Sequence, residues 1–202
     1  MRNAAATKER ILAAALAEFS ARGIAGARVD RIARAAGCNK NLIYIYFEDK
    51  ETLFTTVLQK HLVRIHEDQP FTPDDLPGYA AKVFDWAQAN PDLMRLLAWS
   101  ALEQQAKGHA ERVEALSAKV AALAEAQNAG RVGTAFPPDF LLIAVMSLAT
   151  AWSVASPFGP SVGPRAAALR EGLVEAVRIL ANAGKGTRSR GRSKLRQRDL
   201  PA

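Results

Sequence analysis

Cysteine is nearly absent: Cys38 is the single cysteine in 202 residues. That excludes a disulfide framework and any zinc site built from several thiolates, and it fits a reducing cytoplasm. Cys38 itself reads as a small buried hydrophobe. Histidine is as scarce. His61 and His66 are five apart, off the i,i+4 spacing at which two histidines share a metal, and His109 stands alone. No metal and no cofactor is expected. Alternating β-branched runs are missing, so strands are not expected. There is no nucleophile elbow, phosphate loop, dinucleotide glycine motif or carboxylate pair in an enzymatic setting, and the expectation is a protein that is not an enzyme. No apolar h-region precedes Lys8, Glu9 and Arg10, so no signal peptide is read. Charge is missing from Phe140 to Pro164, but the helix-compatible part, Phe140 to Ala155, falls short of the roughly 20 residues that span a bilayer. A buried helix is expected there, and no membrane association.

The charge that is present is unevenly placed. Residues 1–50 hold nine Lys/Arg against five Asp/Glu, residues 51–184 eleven against fourteen, and residues 185–202 seven against one. A basic head, a mildly acidic body and a strongly basic tail suggest a polyanion partner, nucleic acid before membrane surface. The tail is Arg/Gly/Ser-rich and has too little apolar surface to offset its ordering entropy, so residues 185–202 are expected to be disordered.

Apolar periodicity gives an all-α fold. A first helix is expected from about Thr7 to Ala21, stopped by Arg22-Gly23; a second covers about Val29 to Ala36, and a third about Lys40 to Phe47. A fourth starts at Asp49 or Lys50. Pro70 to Gly78 is the boundary candidate, giving domains 5–65 and 66–184. Body helices are expected over about Tyr79–Ala89, from Asn90-Pro91-Asp92 to about Ala106, His109–Ala126, from Pro137-Pro138-Asp139 to Ala155, and Pro164–Ala183.

Residues 28–47 carry the most information. A short helix, a turn containing Gly37 and a second helix make a helix-turn-helix signature. Asn39 can cap the second helix, which presents Lys40, Asn41, Tyr44 and Tyr46 while Ile43 and Phe47 face the core. Such a helix enters a DNA major groove: amide and ammonium donors suit purine acceptors, and tyrosine hydroxyls suit phosphates.

The wider stretch Thr7-Lys8-Glu9-Arg10-Ile11-Leu12, then Phe19, Gly23, Val29, Ile32-Ala33, Ala36-Gly37, Tyr44, Phe47 and Lys50-Glu51-Thr52-Leu53 resembles the TetR family of transcriptional repressors. The resemblance covers roughly residues 5–65. It implies phosphate contact for Arg28, which stands where a capping Thr or Ser is usual, and for Lys50 at the start of the fourth helix. It also implies base contact for Lys40 and Asn41. Ile45 and Tyr46 stand where an aromatic and His are common; Tyr46 keeps polar reach, whereas Ile45 loses a hydrogen bond. The family's partners follow as expectations: double-stranded operator DNA, a small-molecule effector and a second copy of the chain.

In the body, Trp86, Met94, Trp99, Met146 and Trp152, with Glu103 orienting a polar group, are candidates for an apolar effector pocket, or simply for core packing. Phe140, Leu169, Leu173, Val177 and Leu180 are candidates for a dimer interface between the two C-terminal helices. The function expected is a ligand-responsive, cytoplasmic DNA-binding regulator, a repressor released from a palindromic operator. The alternative is a sequence-nonspecific nucleic-acid binder acting through the basic tail.

Overall fold

The computed structural model describes residues 2–68, 70–102, 109–157, 159 and 165–185. Among these the chain forms nine α-helices and one 3-10 turn, with no strand: α1 (Arg2–Gly26), α2 (Val29–Ala36), α3 (Lys40–Phe47), α4 (Lys50–Asp68), the turn Pro73–Asp75, α5 (Leu76–Ala89), α6 (Pro91–Leu102), α7 (His109–Asn128), α8 (Pro138–Thr150) and α9 (Ala166–Asn182). The expected all-α class is what the chain adopts.

α1 begins earlier than its periodicity suggested. The expected stop is a break inside it, at Gly23, whose φ of 65° and ψ of 179° few other residues adopt. The break turns Ile24 and Ala27 back into the core. There they join Ile11, Ala15 and Phe19 of α1, Ile32 of α2, Ile43 and Phe47 of α3, and Leu53, Phe54 and Val57 of α4. The Phe19 and Phe54 rings meet edge to face at 5.2 Å. Each such large side chain contributes about 1.5–3 kcal/mol by burial. Residues 5–65 do not close this core alone. Leu93 and Leu96 of α6 complete it, and the Trp99 indole N–H donates to the Ser20 carbonyl at 3.2 Å.

The body has its own core around α5, which packs along both α8 and α9. Tyr79, Val83 and Phe84 of α5 meet Leu123 of α7, Leu141, Leu142 and Val145 of α8, and Leu173 and Val177 of α9. The loop after α7 is tied to the end of α9: the Gly133 N–H donates to the Ala181 carbonyl at 2.7 Å, and the buried Gln127 amide donates to the Gly133 and Phe136 carbonyls at 2.8 and 2.9 Å.

Two expectations need correction. α8 ends at Thr150 rather than Ala155. Beyond it the N–H groups of Ala151, Ser153 and Ser156 bond three residues back, and the chain folds so closely that a Cβ on Gly159 would lie 1.7 Å from the Ser153 carbonyl. Leu173 and Val177, expected at a dimer interface, point into their own protomer's core, because α5 and α8 already cover that face of α9. Leu169 and Leu180 pack partly against the same core. Of the interface candidates only Phe140 faces outward, 55% exposed, beside Ile143 on α8, with Ile179 of α9 63% exposed.

Candidate nucleic-acid interface

α2 and α3 keep the boundaries that their local signals gave. α2 buries Val29, Ile32, Ala33 and Ala36 on one side. Gly37 then takes the left-handed conformation (φ 60°, ψ 44°), and the N–H groups of Gly37 and Cys38 close the helix on the Arg34 and Ala33 carbonyls. Cys38 is a half-buried free thiol in this turn. Asn39 caps α3 as expected, its Oδ1 accepting the Asn41 N–H at 2.8 Å. Ile43 and Phe47 anchor α3 to the core. Arg10 ties α1 to the end of α2 by donating from Nε to the Ala36 carbonyl at 3.0 Å, a cation at a helix C-terminus.

The start of α2 is held in a way that sequence reasoning missed. Arg28 stands at the N-cap in extended conformation and makes no side-chain cap. Glu18 of α1 supplies the acceptor: its Oε1 takes the Arg28 N–H at 3.0 Å and the Arg31 Nε–H at 2.6 Å, and Arg22 lies 3.7 Å away on its other side. Burial alone would push the Glu18 carboxyl up. The hydrogen bonds from Arg31 and Arg28 and the arginine charges outweigh it and hold the group below the ordinary glutamate range. The available signal was the pairing of an arginine in the cap position with an acid in the preceding helix.

Lys40, Asn41, Tyr44 and Ile45 are the exposed residues of α3. The Lys40 ammonium lies 2.9 Å from Asp30 of α2 and 6.0 Å from the centre of the Tyr44 ring. Hydrogen bonding and attraction between the pair hold Asp30 below its ordinary range and Lys40 above it. Two other site candidates turn away from this surface. Tyr46 is half-buried, edge-on to Phe47 at 6.3 Å. The Lys50 ammonium donates inward to the Ile24 and Ala27 carbonyls at 2.7 and 3.4 Å, so it braces the α1–α2 corner. Its backbone N–H stands in the first turn of α4, where Asp49 caps the helix by accepting the Thr52 N–H on Oδ1 at 2.6 Å. The structure therefore gathers Lys40, Asn41 and Tyr44 on one side, with Arg28 exposed at the start of the neighbouring helix.

The effector candidates do not form one group. Trp86 packs against the head core, Met146 and Trp152 against the body core, and Trp99 against Ser20. Met94 is buried on α6, and Glu103 lies outside the described residues, as do Phe158 and the tail beyond Lys185. Phe84 and Trp152 meet edge to face at 6.3 Å. Among the described residues no three His, Cys, Asp or Glu are grouped to hold a metal, and no helix is long and apolar enough to cross a membrane.

Comparison with known proteins adds independent findings. Residues 11–57 match the family described as bacterial regulatory proteins, tetR family, and residues 75–178 match the tetracyclin repressor-like C-terminal domain. The chain is 42% identical over 159 residues to the HTH-type transcriptional repressor SCO4008 of Streptomyces coelicolor, covering 77% of this chain and 82% of that protein. It is 31% identical over 105 residues to the HTH-type transcriptional repressor NicS of Pseudomonas putida, about half of each chain. Among solved structures, the candidate transcriptional regulator SCO4942 of Streptomyces coelicolor superposes with a TM-score of 0.75 at 37% identity, covering 85% of this chain and 96% of that one.

Proposed function

The chain belongs to the TetR family and is a DNA-binding transcription regulator; from that premise we propose that it is a dimeric repressor that a small apolar molecule releases from a palindromic operator. The observation that carries the reading is α3: anchored from behind by Ile43 and Phe47, capped by Asn39, and offering Lys40, Asn41 and Tyr44 to a groove. Lys40 and Asn41 address base edges, while Tyr44, Arg28 and the Lys50 backbone N–H address phosphates.

A second copy supplies the second reading helix. Phe140 and Ile143 of α8 with Ile179 of α9 form an outward apolar face, and Gly172 of α9 has open space where a Cβ would stand, so another helix can approach closely there. Pairing through this face sets the separation of the two α3 helices, which must match half-sites one helical turn or a multiple apart.

Release follows from the shared packing. α5 places Phe84 against the body core and Trp86 against the head core, and α6 enters the head core through Leu93 and Leu96. An effector that inserts beside Met146 and Trp152 of the body core and favours another position of α5 or α6 lowers DNA affinity by its preference for that state.

Selection from randomised duplexes tests the reading. The expected result is an inverted repeat, retained in the presence of excess random DNA. Retention of every duplex alike would instead favour sequence-nonspecific binding through the basic residues 185–202.

A further inference from the structure

Ile45 is 71% exposed, on a helix whose other large aliphatic side chains are buried or half-buried. At about 100° per residue, Ile45 points about 180° from the midpoint of Ile43 and Phe47, the two residues that anchor α3. It therefore points away from the core beneath α3, toward whatever that helix enters. Asn41 lies one turn before it on the same side, and Lys40 and Tyr44 lie together to one side of the pair. An isoleucine is a poor partner for phosphate, sugar or any polar base edge. The apolar feature that a major groove offers is the C5 methyl group of thymine. A β-branched side chain also has few rotamers to lose on docking.

We infer that Ile45 reads sequence by seating against a thymine methyl in each half-site, next to the base pair that Asn41 addresses. The inference rests on the regulatory reading above and adds a specificity determinant to it. Asn41 and Ile45 together then favour adjacent A·T pairs, with adenine N6 and N7 met by the Asn41 amide.

Deoxyuridine removes the methyl and leaves base pairing unchanged. With the selected operator in hand, each thymine is replaced by deoxyuridine in turn and affinity is measured for the wild type, Ile45→Val and Ile45→Ala. One thymine per half-site should stand out, its replacement weakening wild-type binding about fourfold, or about fifteenfold when both half-sites are changed. Ile45→Val should keep part of that penalty, and Ile45→Ala should bind both duplexes alike. A wild type indifferent to uracil at every position overturns the inference while leaving operator preference intact. So does an Ile45→Ala variant with the full penalty, or one whose dimer dissociates in sedimentation, which would give Ile45 to a second copy. A protein that prefers no duplex over random DNA overturns the regulatory reading and this inference with it.

Discussion

Removing the Glu18 carboxylate should loosen the start of α2. Two hydrogen bonds converge on its Oε1, from the Arg28 N–H and the Arg31 Nε–H, and the side chain is 12% exposed. A hydrogen bond to a charged group contributes about 1.5–3 kcal/mol when buried. The partial exposure of Arg31 places this pair at the low end, since water screens it. Glu18→Ala should therefore cost about 2 kcal/mol, and Glu18→Gln, which keeps one acceptor, about 1 kcal/mol. For a chain of this size each kcal/mol lowers the melting temperature by about 2–4 °C, so thermal melts followed by circular dichroism separate the two variants. The folded carboxyl titrates below its ordinary range. Its contribution is then complete above the ordinary glutamate value and is lost as pH falls through the lowered one. The gap between wild type and Glu18→Gln should close over that acid interval. An alanine variant that melts with the wild type, or a gap that persists unchanged into acid, would refute the assignment of Glu18 as the anchor of α2.

On the outward face of α8 and α9, Ile179→Asp should yield a folded monomer by sedimentation, whereas Leu173→Ala should cost about 2–5 kcal/mol of stability through a core cavity; a dimeric Ile179→Asp protein would place the interface elsewhere. Asp30→Asn releases Lys40 from its ion pair and removes a carboxylate from the side that meets DNA, so affinity for random DNA should rise, most at low salt; an unchanged affinity at low salt would mean that the pair lies away from the DNA. Glu48 holds φ 63° and ψ −59° between α3 and α4, with the Asp49 N–H bonded to the Phe47 carbonyl at 2.6 Å. Glu48→Gly should relieve that strain and, after the added freedom of the unfolded chain, raise stability by about 0.5 kcal/mol; a lower melting temperature would contradict it.

The boundaries of α2 and α3 were legible because their signals are local: Gly37 closes one helix and Asn39 opens the next, each within a few residues. The break at Gly23 was legible for the same reason. The end of α8 was not, since the apolar run continues through Trp152 and Val154 and the chain is turned by its own return at Gly159. Periodicity showed that α9 has an apolar stripe at Leu169, Leu173, Val177 and Leu180, but a stripe does not say whether it meets its own protomer or another. The sequence did not say which core each aromatic of the body joins, and Phe84 and Trp86 of α5 are only two positions apart. On a helix that spacing sends them to nearly opposite sides, and here to different cores. Lys50 was assigned to phosphate by resemblance and Tyr46 to the presented side of α3; neither assignment could show that the one braces two carbonyls and the other packs edge-on to Phe47.

The seating of Leu93 and Leu96 in the head core also limits how such proteins can exchange parts. A recombination point between α4 and α5 would divide one hydrophobic core between two parents, leaving a head without its last two leucines and a body helix with nothing to cover. The heritable reading unit of this chain is the head together with α6. Chimeras that transplant α1–α4 alone should melt early and bind DNA weakly, whereas those that carry Pro91–Leu102 along should keep the donor's operator.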